Sequence, residues 1–196
     1  MEVNNKTAPV TGQQDQNTIS LDLMNRMKLH GMAEAFRESL AGTTPQSMTA
    51  DTFLSMLLAR EWDYRSQAAI ARLTKNAAFR YKAYIEQIDY ATNRGLDRNQ
   101  MERLATLDFV HKAQNLFITG SSGTGKSYLA CALGHEACKR GFRTFYANAP
   151  KLLGALKVAK VKGTLEAELK KIERCQLLIL DDLFICLLYT SPSPRD

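Results

Sequence analysis

Asn115-Leu116-Phe117-Ile118-Thr119-Gly120-Ser121-Ser122-Gly123-Thr124-Gly125-Lys126-Ser127 runs from an apolar stretch through a glycine-rich turn into a helical pattern. That order of strand, turn and helix is the context a phosphate-binding loop requires. Gly120, Gly123 and Gly125 permit backbone conformations that a side chain forbids, so successive N–H groups can converge on one anion. A helix starting near Lys126 turns its positive end toward the same phosphates. Lys126 brings a flexible full charge to the β- and γ-phosphates, and Ser127 brings a hydroxyl ligand for Mg²⁺. An ordinary glycine-rich turn would account for neither the Lys-Ser ending nor the flanks. Gly120, Ser121, Ser122, Gly123, Thr124, Gly125, Lys126 and Ser127 therefore form a candidate nucleoside triphosphate site.

Downstream, Ser127 to Arg140 carries Leu129, Ala130, Leu133 and Ala137 at helical core spacing, with Gly141 as the stop. Arg143 to Ala147 reads as a short strand bounded by Asn148-Ala149-Pro150. Lys151 to Lys160 and Thr164 to Arg174 read as helices, the second with a weak Thr164-x-x-Ala167 cap. Leu177-Leu178-Ile179-Leu180 then reads as a buried strand ending in Asp181-Asp182. Strand, helix, strand, helix, strand predicts a parallel α/β sheet with ligands at the strands' carboxyl ends. Two carboxylates at a strand tip are costly to bury unless a cation or a water network meets them. Asp181 is accordingly the candidate Mg²⁺ partner of Ser127. Asp182 points the other way by strand alternation and is a candidate for polarising the attacking water. Lys126 and Asp182 are thus the candidate catalytic residues; the bland reading of the pair is an acidic turn after a core strand.

Upstream, residues 1–17 lack apolar periodicity and read as a disordered leader. From Thr18, Leu21, Met24, Met27 and Met32 recur at helical spacing, with Gly31 as an expected stop or kink. Met32, Ala35, Phe36 and Leu40 share a face of a second helix, ended by Ala41-Gly42-Thr43-Thr44-Pro45. Thr49-Ala50-Asp51 starts a longer helix with Phe53, Leu54, Leu57, Leu58 and Trp62 as its apolar stripe. Asp97 is placed to cap a helix through Leu107. These boundaries give a helical domain over 18–88, a nucleotide domain over 89–184 and a tail over 185–196.

The chain has 196 residues, 45% of them hydrophobic and 23% charged, which is globular composition for one or two domains. Its net charge of +6 favours polyanionic partners without specifying one. Two clusters carry the excess. Arg65, Arg72, Lys75, Arg80 and Lys82 stand together without an acid, interleaved with Phe79 and Tyr81 and followed by Tyr84. They read either as a nucleic-acid surface with stacking aromatics or as a solvated helix face with its aromatics in the core. Between Ala137 and Leu165, Lys139, Arg140, Arg143, Lys151, Lys157, Lys160 and Lys162 again lack an acid. Lys151, Lys157, Lys160 and Lys162 join the first cluster as DNA-binding candidates. Cys131, Cys138, Cys175 and Cys186 show no metal or C-x-x-C spacing and are expected as free thiols of a reducing cytoplasm. No signal peptide opens the chain and no apolar run approaches the roughly 20 residues of a membrane span, so a cytoplasmic protein without a membrane partner is expected.

Taken together, the loop, the Leu178-Ile179-Leu180-Asp181-Asp182-Leu183 strand end and the Leu29-His30-Gly31-Met32 stretch resemble the IstB family of transposition helper ATPases, kin of the helicase loader DnaC. The resemblance covers residues from about 20 to 184. It implies an α/β fold of P-loop, AAA+ type behind a small all-helical N-terminal domain. It also implies ATP with Mg²⁺ as ligands, assembly as a homo-oligomer on duplex DNA, and an IS21-type transposase as partner. A DnaC-like helicase loader, and a binding module with a vestigial ATP site, are the alternatives. Such proteins continue past the double aspartate with further core strands, a sensor residue, an arginine finger and a lid. The string from Ile185 to Asp196, with two Ser-Pro pairs and no helical pattern, cannot supply these parts. The core is thus expected to be incomplete at its C-terminal end, the tail to be non-native, and ATP hydrolysis to be poor.

Overall fold

The computed structural model describes residues 11–42, 48–90 and 95–183, with side chains from residue 16. The chain divides into two compact units, Met1–Ala68 and Ala69–Asp196. In the first, α1 spans Thr11–Arg26 and α2 spans His30–Leu40, while α3 (Ala50–Ala77) begins there and runs through the division. α1 thus starts inside the stretch expected to be a leader; residues 1–10 lie outside the described residues.

Gly31 is neither a stop nor a kink. α1 ends earlier, at Arg26, and Lys28 with its left-handed φ of 59° closes the turn as the Leu29 N–H donates to Met24 O and the Lys28 N–H to Asn25 O. Gly31 lies in the first turn of α2, where the helix backbone meets α3 closely. A Cβ there would sit 2.5 Å from Arg60 O and 2.8 Å from Tyr64 Cβ. Close approach lets the buried Glu61 carboxylate accept from the Gly31 N–H at 2.8 Å and the Met32 N–H at 3.2 Å. Two of α2's orphan donors are thereby satisfied from a neighbouring helix, with Arg65 Nε 2.6 Å from the other Glu61 oxygen. The apolar stripe of α3 is narrower than its sequence suggests. Leu57 is buried and Phe53 packs against Phe36 at 6.3 Å between ring centroids, but Leu54, Leu58 and Trp62 are exposed, Trp62 by 75%.

Glu61 gives this unit an acid-sensitive joint. Burial acts to raise its pKa, but the Arg65 guanidinium and the two backbone donors outweigh burial and hold the carboxyl below its ordinary value. A carboxyl depressed in the folded state stabilises the fold above its unfolded pKa, and that contribution disappears as pH falls through the folded value. We expect the melting temperature to drop as pH falls below about 4.3, the ordinary glutamate value. Glu61→Gln should flatten part of that drop; identical acid limbs in thermal melts of the two chains would exclude Glu61 as a contributor.

The second unit holds the sheet. α4 (Arg98–Ala105) and the single turn α5 (Asp108–His111) lead to the glycine-rich loop. The Asp97 cap forms as expected, its side chain accepting from the Asn99 N–H at 3.0 Å. Met101 and Leu107 are buried, and Arg140 Nη1 ties this segment down through Thr106 O at 2.7 Å. Beyond the loop come α6 (Lys126–Lys139), β1 (Thr144–Asn148), α7 (Ala149–Val161), α8 (Leu165–Glu173) and β2 (Leu177–Asp181). β1 and β2 pair in parallel, with Tyr146 opposite Ile179 and Asn148 opposite Asp181. Gly141 and Gly163 end α6 and α7 in left-handed conformations, the first as the sequence predicts. Asn148 caps α7 by accepting from the Lys151 N–H, whereas Thr164 makes no side-chain cap on α8.

α/β it is, with a parallel sheet, but among the described residues the sheet has two strands rather than the three read from the sequence. Residues 115–119 run without secondary structure, and Phe117 is 69% exposed. A strand exists only where a neighbour accepts its backbone groups, and none of the described residues pairs with this segment. β2 is likewise buried on one face alone: Ile179 joins the core with Tyr146, Cys131, Ala132 and Ala83, while Leu178 and Leu180 are exposed. Gly134 lets α6 approach this core, since a Cβ there would meet Ile179 Cδ1 at 2.8 Å and the Phe79 ring. Phe79 and Tyr84 flank the buried His135 ring at 4.3 and 5.2 Å, so these two aromatics belong to the core; Tyr81 remains exposed. Cys131 and Cys138 are buried free thiols and Cys175 is a half-buried one. Cys186 and the tail 185–196 lie outside the described residues.

Candidate functional site

Gly120 to Ser127 curls from the extended segment into the first turn of α6. Gly123 and Gly125 hold φ of 78° and 87°, conformations in which an L side chain is strained, so the glycines are required where they stand. Thr124 Oγ1 donates to Ser121 O at 2.9 Å and Lys126 Nζ to the same oxygen at 2.6 Å. The lysine head thus rests on the loop it is expected to serve, at the positive end of α6.

Ser127 Oγ donates to Asp181 Oδ1 at 2.9 Å, joining residues 54 positions apart. The fold creates this contact by putting the end of β2 against the first turn of α6. With its proton committed to Asp181, the serine oxygen keeps its lone pairs for a ligand. Hydroxyl and carboxylate oxygens are the hard donors Mg²⁺ prefers, so this pair fits that ion. Among the described residues no cluster of three or more His, Cys, Asp or Glu offers another metal site.

Asp181 is only 14% exposed in its side chain and is held by more than the serine. Tyr146 OH donates to Oδ2 at 2.6 Å, the Asp182 N–H donates to Oδ1 at 3.1 Å, and Arg80 Nη1 stands 3.7 Å from Oδ2. Burial pushes the carboxyl's pKa up, but the donors Tyr146, Ser127 and Asp182, with the Arg80 charge, prevail and keep it below its ordinary value. For Tyr146 burial comes first and the neighbouring carboxylate second, and both push the phenol up, so it stays a proton donor. Asp182 lies just past the end of β2, in a left-handed turn rather than in strand alternation. Its φ is 58°, and its carboxylate accepts from Asn148 Nδ2 at 2.7 Å while staying exposed.

Tyr146, Asn148 and the role of Arg80 at Asp181 are absent from the sequence reading. The signal was present in part: Thr144, Tyr146 and Asn148 share one face of β1 by alternation, so two polar-tipped residues there had to meet β2's end. Arg80, read as part of a basic surface, needed the tertiary fold to be seen beside Asp181. Other cations of the two clusters also have internal partners. Arg65 pairs with Glu61, Lys139 with Glu86 and Glu136, and Arg140 with Glu136. Arg72, Lys75, Lys82, Lys151, Lys157, Lys160 and Lys162 are exposed. Lys157 and Lys160 stand about one turn apart along α7.

Residues 22–188 match the family model of IstB-like ATP binding proteins. An insertion-sequence protein of Sinorhizobium fredii, named for ATP binding, is 39% identical over 163 residues, 83% of this chain and 66% of that protein. A protein of Pseudomonas fluorescens named for ATP binding in insertion sequence IS1162 is 35% identical over 83% of this chain and 71% of its own length. The corresponding IS21 protein of Pseudomonas aeruginosa is 30% identical over 82% of this chain and 61% of its own length. The chain spans about two thirds of the length of these relatives. No helix among the described residues is long and apolar enough to cross a membrane.

Proposed function

The chain belongs to the family of IstB-like ATP binding proteins, and from that membership we propose that it binds ATP with Mg²⁺ at 120–127 as a DNA-binding helper of an IS21-type transposase. The observation that carries the nucleotide part is the Ser127–Asp181 hydrogen bond of 2.9 Å beside a glycine-rich loop at a helix N-terminus. Loop amides and the α6 terminus take the phosphate oxygens, and Lys126 leaves Ser121 O for the β- and γ-phosphates. Ser127 and Asp181 would hold Mg²⁺, which supplies charge neutralisation on the phosphates. Asp182, exposed and steadied by Asn148, is the group we assign to orienting a water for hydrolysis. A fluorescent ATP analogue tests the reading: saturable binding, tighter with Mg²⁺ and competed by ATP, is expected, and its absence would remove the proposal.

Duplex DNA, transposase and oligomer are the finer part of the proposal, placed in the cytoplasm. Support comes from the relatives' insertion-sequence names and from the exposed cations of α7. If Lys157 and Lys160 contact DNA phosphates, the pair Lys157→Gln and Lys160→Gln should weaken binding alike on all duplex sequences. It should also lower the slope of log K against log salt by about 2, at roughly 0.9 per phosphate. An unchanged slope in a filter-binding salt series would take α7 out of the DNA interface.

A further inference from the structure

Asp181 has more holders than the sequence motif supplies. An ionised carboxylate offers about four lone-pair positions, and in Asp181 three are taken by hydrogen bonds, so one is left for a metal or its water. Ser127 Oγ and the Asp182 N–H donate to Oδ1 and Tyr146 OH donates to Oδ2, with the Arg80 guanidinium forming an ion pair 3.7 Å from Oδ2. The first two come with the loop and the strand end; the other two arrive from β1 and from the segment that follows α3. Tyr146 is 8% exposed, and its ring is packed in the cluster of Ala83, Cys131 and Ala132, so the direction of its hydroxyl is fixed. Arg80 lies over the Tyr81 ring at 5.2 Å, and Tyr81 in turn stands 6.5 Å from Tyr128, the neighbour of Ser127.

We propose that Tyr146 and Arg80 clamp Oδ2 of Asp181 and act as positioning residues for the metal of the nucleotide site. With Oδ2 held, the carboxylate cannot rotate about its last bond, so Oδ1 stays on the Ser127 hydroxyl. The serine proton is thereby kept out of the way, and its lone pairs face outward as a ligand. Outer partners of this kind typically change metal affinity by roughly 10- to 100-fold when removed. A purely structural Tyr146 would need its ring and not its hydroxyl. The clamp rests on the reading of 120–127 as a nucleotide site, and the two are separable by experiment.

The full chain is titrated with a fluorescent ATP analogue in EDTA, and Mg²⁺ is then added in steps. Tyr146→Phe, which keeps the ring, should bind the analogue in EDTA as the unchanged chain does. It should need roughly tenfold more Mg²⁺ for half of the metal-induced change. Arg80→Gln should shift the midpoint the same way by a smaller factor. Equal midpoints in both variants and the unchanged chain would overturn the clamp and leave the nucleotide site standing. Failure of the unchanged chain to bind the analogue at all would overturn both. If circular dichroism shows that Tyr146→Phe does not fold, Arg80→Gln, whose side chain is 53% exposed, decides alone.

Discussion

Lys126→Ala is expected to weaken ATP binding by roughly 10- to 150-fold, the equivalent of about 1.5–3 kcal/mol for hydrogen bonds to a charged group. The side chain begins α6 and its ammonium already lies against the loop at Ser121 O. Alanine is a better helix former than lysine at that position, so the fold should survive and the loss should be one of binding. Lys126→Arg should recover only part of it, because a planar guanidinium does not replace a compact ammonium inside a tight loop. Competition titrations with ATP read the effect, and melting curves confirm that stability is unmoved. Affinity within twofold of the unchanged chain would show that phosphates bind elsewhere.

Gly31→Ala should produce the largest loss of stability among single-methyl changes. Helix propensity alone favours alanine by about 1 kcal/mol. Here the added carbon would stand 2.5 Å from a backbone oxygen of α3, which cannot swing aside as a side-chain tip could. Relief requires α2 to move off α3, and that movement breaks the bonds from the Gly31 and Met32 N–H groups to Glu61. Overpacking and unsatisfied buried groups each cost about 1–3 kcal/mol, so a net destabilisation of about 2–4 kcal/mol is expected. Gly154→Ala in α7, where a Cβ meets nothing within 4 Å, is the matched control and should be neutral or stabilising. Urea unfolding followed by circular dichroism compares the two; equal midpoints would show that the close approach of α2 and α3 costs nothing to relieve.

What the sequence discloses is whatever depends on neighbours in the chain. The glycine-rich loop, the helix behind it and its Gly141 stop are set by local backbone chemistry, and each is found where the residues place it. β1 and β2 were legible for the same reason, as short apolar runs between turn signals. The run 115–119 has equally good strand composition and yet forms no strand, because a ladder is a property of two segments. Gly31 looked like punctuation, since nothing in the chain nearby tells that Arg60 and Tyr64 will press against it. Glu61 gave no sign of serving α2, and neither Tyr146 nor Arg80 gave a sign of serving Asp181. All of these roles depend on contacts between residues about 30 to 100 positions apart.

Amide hydrogen exchange of the full chain, with and without ATP and Mg²⁺, tests the central claim most directly. Nucleotide bound as proposed should slow exchange at the loop and first turn of α6, residues 121–128, and at Asp182, whose N–H donates to Asp181. Omitting Mg²⁺ should remove much of the protection at Asp182 while leaving part of it in the loop. Exchange at 121–128 that ATP does not change, or protection confined to α1 and α2, would contradict the assignment of this loop as the nucleotide site.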